Sequence, residues 1–329
     1  MISVVVPCHN EQEVFEQLTQ HLTAAAETWG EPFEVLLVND GSRDGTWELM
    51  KLQHQRDPRW KALDLSRNFG HQTAVSAGIY HASGDCVVVL DADLQDPPDA
   101  IGRFIEKWRQ GYDVVYGIRT KRKENWLKRM CYSAFYRVLR RLADIDIPPD
   151  SGDFCLIARN VVDTICAMPE RNRFVRGLRA WAGFKQIGLP YERHERAAGE
   201  VKYTPGRLVK LALDGIFSFS TVPLRMASYF GFVISLLAAV GVVFTLAQRI
   251  FLDFFSRIGL RPVPGFATIV IAILFLGGVQ LICLGIIGEY LGRVYEEVKG
   301  RPPWVVREAV GLSMGSTQRS PGVNRIQQA

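Results

Sequence analysis

Two stretches of this chain, Met226–Ala247 and Val263–Gly288, contain no Asp, Glu, Lys or Arg. Each is long enough for the ~20 apolar residues with which a helix crosses ~30 Å of hydrocarbon. A charge-free run of that length is either a membrane span or the core helix of a large soluble domain. Two such runs joined by a short connection containing Arg261–Gly265 suit a membrane hairpin. Gly277, Gly278, Gly285 and Gly288 add small surfaces for close helix packing. The chain is 48% hydrophobic, and because that excess is concentrated in the hairpin, the segment before it is left to build a water-soluble domain.

The opening MISVVVPCHNEQE has neither a basic region nor a cleavage-site pattern, so it does not read as a signal peptide. Arg207, Lys210 and Arg225 precede the hairpin and Arg293, Lys299, Arg301 and Arg307 follow it, against Arg249, Arg257 and Arg261 in its connection. That majority places the N-terminal domain and the C-terminal tail in the cytoplasm, on an inner or plasma membrane crossed twice. The net charge of +5 suits an anionic leaflet and is too weak to indicate nucleic acid. Cysteines 8, 86, 131, 155, 166 and 283 form no CxxC pair, which argues for reduced thiols over zinc or disulfides.

Before the hairpin the chain has a regular rhythm. Apolar runs at 2–7, 34–39, 61–65, 86–90 and 113–117 recur with helix-like segments between them. That spacing predicts βαβ units in a mostly parallel sheet with helices on both faces, where ligands bind at the carboxyl ends of the strands. After the first four runs come PCHNEQE, DGSRDGT, SRNFGHQ and DADLQDPP, all polar and all destined for one edge. Neither GxGxxG nor GxxxxGK[ST] is present, which argues against a nicotinamide enzyme and a P-loop ATPase.

At that edge Asp40, Gly41 and Ser42 offer a carboxylate and turn amides to a nucleobase, with Asn10 and Glu11 reaching in from the neighbouring strand. A simple turn or helix cap remains an equal alternative for DGSRDGT. Asp91 and Asp93, with Gln95, present oxygens to one side if the segment is extended. Such hard ligands suit Mg²⁺ or Mn²⁺ shared with substrate phosphates. Asp96 reads as a cap for the following helix and Asp99 as an acid in its first turn. Arg119, Arg122, Lys128 and Arg129 are candidates for a phosphate clamp, although a basic helix face over 126–142 resting on anionic lipid fits the same residues. Leu208–Leu224, apolar on one face with Lys210 and Asp214 on the other, predicts an in-plane interfacial helix, and Glu289–Val298 a second one.

The ordered set VVVPCHNEQE, VNDGSRDGT, LSRNFGHQTAVSAG, LDADLQDPP and GEVKY, followed by two apolar runs and GEYLGRVYEEVKGRP, resembles the polyprenyl-phosphate glycosyltransferases of glycosyltransferase family 2. It is most like the bacterial undecaprenyl-phosphate, or bactoprenol, glucosyltransferases, with dolichyl-phosphate mannose synthase as a relative. The resemblance runs from residue 1 to about 305. It implies a GT-A catalytic domain over 1–203, an interfacial helix over 204–225, spans at 226–250 and 263–288, and a juxtamembrane segment over 289–305. The remainder, 306–329, is expected to be a disordered tail.

The resemblance also implies roles. Asp40 and Gly41 would hold the base, with Pro7, His9, Asn10 and Glu11 lining the nucleoside. Asp91, Asp93 and Gln95 would hold Mg²⁺ or Mn²⁺, with Asp153 and Asp93 as the catalytic carboxylates. Arg119, Arg129, Ser133, Arg196 and Lys202 would hold the acceptor phosphate. Partners would be a nucleotide sugar, UDP-linked by preference, a polyprenyl phosphate, the membrane, and further copies of the chain in a tetramer. Cys155 stands where close relatives often carry Arg, and Val201 where they carry Ser or Thr. A processive polysaccharide synthase is disfavoured because no QxxRW follows the DxD, and a non-catalytic scaffold because Asp91 and Asp93 are both present.

Overall fold

The structure, a computed structural model, describes residues 1–119, 151–171, 173–192, 221–251 and 265–312. It divides into two units, Met1–Gly215 with Lys299–Ala329, and Ile216–Val298.

The first unit is an α/β domain. Its strands are β1 (Ile2–Cys8), β2 (Phe33–Asn39), β3 (Trp60–Leu65), β4 (Cys86–Val89), β5 (Val114–Arg119), β6 (Ser151–Ala158), β7 (Gln186–Tyr191) and β8 (Val306–Val310). Its helices are α1 (Phe15–Glu27), α2 (Thr46–Arg56), α3 (His71–His81), α4 (Ala100–Arg109), α5 (Arg159–Ala167) and α6 (Val175–Trp181). The strands form one sheet in the order β7-β5-β6-β4-β1-β2-β3-β8. All five strands expected from the apolar runs are present, and β1, β2, β3 and β4 pair in parallel. The sheet is mixed because β6 runs antiparallel between β4 and β5, and β8 runs antiparallel along β3.

Alternation along β1 shows why the strands read as unbroken apolar runs. Val4 and Val6 face a core completed by α1 and α4, through Leu18, Leu22, Ile101 and Phe104. Val5 faces the opposite core, with Val75 and Ile79 of α3 and Val161 and Ile165 of α5. A sheet buried on both faces needs apolar side chains at every position. At Gly78 a Cβ would overlap the Val5 side chain, so glycine sets how closely α3 packs on the sheet.

The expectation of a disordered tail from Val306 is corrected at its start. Trp304 is buried against Tyr80, Ser66 N–H donates to Val305 O at 2.9 Å, and Val306–Val310 adds an edge strand. Charged residues at 307 and 308 hide this strand from a hydropathy reading, yet an edge strand needs only one covered side. The rest of that tail, 313–329, lies outside the described residues.

The second unit holds α7 (Val222–Ile250) and α8 (Phe266–Val298). Both helices are long and apolar enough to cross a membrane, over Val222–Thr245 and Phe275–Val298. The separate interfacial helix expected at Glu289–Val298 is corrected: these residues continue α8 without a break for 33 residues in all, about 50 Å. Its polar end is held in register by Arg293 bonding Glu289 one turn earlier at 3.1 Å. Of the expected interfacial helix at 204–225, residues 204–220 lie outside the described residues, and Val222–Arg225 form the first turn of α7.

Candidate active site

The carboxyl end of β4 brings the acidic motif to the edge of the sheet. Pairing persists through Leu90, whose N–H donates to Val5 O at 3.0 Å, and Asp91 follows at once. The chain then turns instead of staying extended. Leu94 adopts φ 55°, a left-handed conformation that an unbranched-β apolar residue enters only at a cost, and Asp93 Oδ1 accepts the Gln95 N–H at 3.2 Å. Asp96 is not a helix cap. It is fully buried and accepts the Tyr191 hydroxyl at 2.5 Å, while Arg119 Nε–H donates to that hydroxyl oxygen at 3.3 Å.

Strand β6 delivers the second carboxylate. Its antiparallel register with β4 pairs Val89 with Cys155, and two further residues along that register Asp153 stands opposite Asp91. His71, the first residue of α3, places Nε2 at 3.5 Å from Asp91 Oδ1 and 3.5 Å from Asp153 Oδ2. Arg176 on α6 forks Asp153, with Nε at 2.7 Å from Oδ1 and Nη2 at 2.9 Å from Oδ2. Gln72 ties α3 to both neighbours, donating from Nε2 to Asp153 Oδ2 at 3.0 Å and accepting the Val175 N–H at 3.0 Å.

These contacts drive the two carboxyls apart. Burial alone would raise Asp153, but the charges and hydrogen bonds of Arg176 and His71 outweigh it and hold the group well below the usual carboxylate range. Asp91 is pushed up to about 6 by burial and by Asp153, Asp96 and Asp93, against the opposing pull of His71. Burial lowers His71, yet Asp153 and Asp91 carry it up to about 9, so it is a cation at neutral pH.

Asp91 Oδ1 is buried and, among the described residues, accepts no hydrogen bond; the His71 imidazolium stands 3.5 Å away, an ion pair without a hydrogen bond. A buried carboxylate oxygen without a donor is costly unless a cation completes it. Among the described residues no three His, Cys, Asp or Glu side chains are grouped to hold an ion by themselves. The donor set therefore fits a hard divalent cation held by Asp91 and Asp93 that takes its remaining oxygens from a bound ligand.

Farther along the same edge lies a cavity of about 500 Å³ lined by His9, Asn10, Gly41, Ser42, Arg43, Arg67, Asn68 and Arg307. Its walls are loops bonded to one another. Asn10 accepts the Arg43 N–H at 2.8 Å and gives its own N–H to Ser42 Oγ at 3.0 Å. His9 Nδ1 lies 2.9 Å from the carbonyl of Asp40, the Asn10 amide lies 3.3 Å from Nε2, and the Asn68 amide sits beside both ring nitrogens, 3.1 Å from Nδ1 and 3.4 Å from Nε2. Gly41 has φ 62°, and a Cβ there would stand 2.5 Å from the backbone of Arg67 and Asn68. Only glycine lets the β2 and β3 loops meet.

The family model described as Glycosyl transferase family 2 matches residues 3–166. Over 311 residues the chain is 44% identical to the uncharacterized glycosyltransferase YkcC of Bacillus subtilis (strain 168), covering 94% of each protein. It is 39% identical to the prophage bactoprenol glucosyl transferase homolog of Escherichia coli (strain K12), covering 93% of this chain and 98% of that one. The bactoprenol glucosyl transferase of Shigella phage SfII is also 39% identical, with 94% and 98% covered. The chain belongs to glycosyltransferase family 2. Its sheet is the GT-A-type α/β domain of a glycosyltransferase.

The transferase brings together most of the residues that its sequence singles out. His9, Asn10 and Gly41 line the cavity, and Asp91 and Asp153 face each other with Asp93 and Gln95 in the adjoining turn. Pro7 is buried within β1, and the N–H of half-buried Glu11 bonds Thr46 Oγ1. Asp40 is buried, and its two oxygens accept the N–H groups of Phe69 at 2.7 Å and Gly70 at 3.0 Å. Arg119 is in place beside Tyr191, whereas Arg129, Ser133, Arg196 and Lys202 lie outside the described residues. Sequence reasoning gave no place in the site to His71, Gln72, Arg176, Tyr191, Arg67, Asn68 or Arg307. Four of these lie in the polar SRNFGHQ segment after β3, which was the available signal.

Proposed function

We propose that this enzyme transfers a hexose, glucose from UDP-glucose, to polyprenyl phosphate at the cytoplasmic face of the membrane, with inversion at the anomeric carbon and with Mg²⁺ or Mn²⁺ bound. The observation that carries the reading is the buried Asp91 oxygen, without a hydrogen-bond donor among the described residues and faced only by His71 at 3.5 Å, at the strand edge that also holds the cavity. Two of the relatives are named for glucosyl transfer and bactoprenol. Two helices apolar enough to span a bilayer support a lipid acceptor, and the resemblance adds a tetrameric assembly.

In this reading Asp91 and Asp93 hold the cation, which supplies positive charge to the departing nucleotide diphosphate. His9, Asn10 and Gly41 seat the nucleoside, while Asp40 keeps the β3 loop in the shape that closes the cavity. A lipid phosphate is already ionised at pH 7 and attacks without a strong base, so alignment carries much of the rate. Arg119, with Arg129, Ser133, Arg196 and Lys202, holds that phosphate behind the anomeric carbon. Asp153, kept ionised by Arg176, accepts a hydrogen bond from a sugar hydroxyl and fixes the ring. One displacement then converts an α-linked donor into a β-linked product.

The test is to incubate membranes containing the enzyme with undecaprenyl phosphate and a panel of radiolabelled nucleotide sugars. Label from UDP-glucose is expected in the lipid phase, dependent on Mg²⁺ or Mn²⁺, abolished by chelation, and β-linked by NMR. Lipid label from a different sugar alone overturns the glucose assignment, and label from none overturns transfer.

A further inference from the structure

Strand β8 follows the second apolar helix, yet it supplies a wall of the cavity. The strand docks on the edge of β3, pairing Leu65 with Val306 and Asp64 with Glu308. Between those pairs Arg307 points back over the β3 loop. Its Nη2 donates to Ser66 O at 2.6 Å and its Nη1 lies 3.3 Å from Asp64 Oδ2. Asp64 is buried, and its other oxygen accepts Asn39 Nδ2–H at 2.7 Å. Asn39 in turn accepts the Ser42 N–H at 3.1 Å. Arg307 thus anchors a chain of hydrogen bonds running from the sheet edge to the turn after β2, while its side chain stays 60% exposed and lines the cavity.

The position of this residue along the edge identifies what it meets. Adjacent strands lie ~4.8 Å apart, so β3 and β8 are about 14 and 19 Å from the β4 strand that carries Asp91. A nucleoside diphosphate laid along the edge with its phosphates at Asp91 and Asp93 extends its base toward β3 and β8. The cavity lining there contains three guanidinium groups, Arg43, Arg67 and Arg307, and no carboxylate. Guanidinium groups are donors only. They match the carbonyl oxygen at C4 of uracil or C6 of guanine and mismatch the amino group that cytosine and adenine carry at the same position.

We propose that Arg307, carried by the strand that follows the second apolar helix, reads the base of the nucleotide sugar and selects keto over amino bases. This inference rests on the edge being a nucleotide-sugar site and goes beyond it in naming a specificity residue far outside the segment that the family model matches.

The experiment uses the full-length protein in detergent with Mn²⁺ and follows binding of UDP, GDP, CDP and ADP by calorimetry. The unmodified enzyme is expected to bind UDP or GDP at least tenfold more tightly than CDP and ADP. In Arg307→Gln the preferred nucleotide weakens about tenfold, the scale of a lost hydrogen bond to a charged group, and the others change less than twofold. Glu308→Ala, which removes the bond from Trp47 Nε1 and a negative charge near Asp64 while leaving Arg307 in place, retains the preference and shows that the strand still docks; thermal melting of both variants checks the fold. Equal weakening of all four nucleotides in Arg307→Gln overturns base reading in favour of a phosphate or purely structural role, as does unchanged binding of all four. If the unmodified enzyme binds none of them, the nucleotide-sugar site itself falls, and the inference with it.

Discussion

Arg176 and Asp153 form a two-point ion pair at the mouth of the sheet, with nitrogen–oxygen distances of 2.7 and 2.9 Å. Asp153 is 8% exposed, so its charge depends on this partner. Removing the cation alone strands a buried carboxylate, which costs about 3–5 kcal/mol. Arg176→Ala is therefore expected to lower the urea midpoint strongly and to cut transfer at least 100-fold. Asp153→Asn keeps the shape without the charge, and is expected to lose activity as severely with a smaller loss of stability. Equal stability losses in the two variants would show that no buried charge is left stranded when Arg176 is removed.

Asp91 makes the opposite case. Burial and three neighbouring carboxylates push it up to about 6 against the pull of His71, so this one imidazolium only partly offsets the cost of its charge. Asp91→Asn relieves that repulsion. The expected outcome is a melting temperature equal to or above that of the unmodified protein, together with loss of metal-dependent transfer and of Mn²⁺ binding in the presence of UDP. A variant that melts normally and still transfers sugar removes Asp91 from the cation site.

The contrast between these two carboxylates shows how far the sequence carries. Asp91 was legible because an apolar run, 86–90, ends on it, and runs of that kind located all five of the first strands. Asp153 came only through resemblance. Its strand opens with SGD and contains a cysteine, and its reversed direction is decided by pairing with β4 and β5, partners far away along the chain. The same holds for β7, which carries Gly188 and Pro190, and for β8, whose VREAV looks like a charged tail until β3 provides an edge. His71 and Arg176 meet only because α3 and α6 pack on one face of the sheet. No local periodicity encodes such a meeting, whereas the turn around Leu94 defeated a correct local rule by leaving the extended conformation that the rule assumes.

Gly41 offers a test of how the two loops that wall the cavity meet. Its positive φ and the 2.5 Å approach to the Arg67 and Asn68 backbone leave no room for a Cβ. Gly41→Ala is expected to destabilise the domain by about 1–3 kcal/mol and to weaken nucleotide binding by separating the two loops. Calorimetry with UDP and a urea titration measure the two effects. Unchanged values in both would mean that the loops part without consequence.

Membrane insertion of α7 can be challenged at its centre. Val233 lies midway along Val222–Thr245 and is 50% exposed. An arginine there costs roughly 3 kcal/mol in a bilayer and little on a water-facing helix. Val233→Arg is expected to reduce the fraction of protein that resists alkaline carbonate extraction from membranes. Complete extraction of the unmodified protein by carbonate would remove the span.

Glu34 governs how the domain responds to acid. It is buried, and it accepts Ser3 Oγ–H at 2.5 Å, Lys61 Nζ at 2.7 Å, and Ser83 N–H and Oγ–H at 2.7 and 2.8 Å. Burial raises its pKa, but Lys61 and the two serines together bring it below the ordinary value. A carboxyl depressed in the folded state binds protons more weakly there than in the unfolded chain. Its contribution is therefore complete above the unfolded pKa of ~4.3 and disappears as pH falls through the lower folded value. Glu34→Gln keeps the shape, removes the charge, and leaves the Lys61 ammonium without its partner. At pH 7 the variant is expected to be about 2 kcal/mol less stable, and the gap is expected to narrow steadily below about pH 4.3. Denaturant midpoints for both proteins between pH 3 and 7 measure the gap; a difference that stays constant across that range assigns the loss to packing instead of charge.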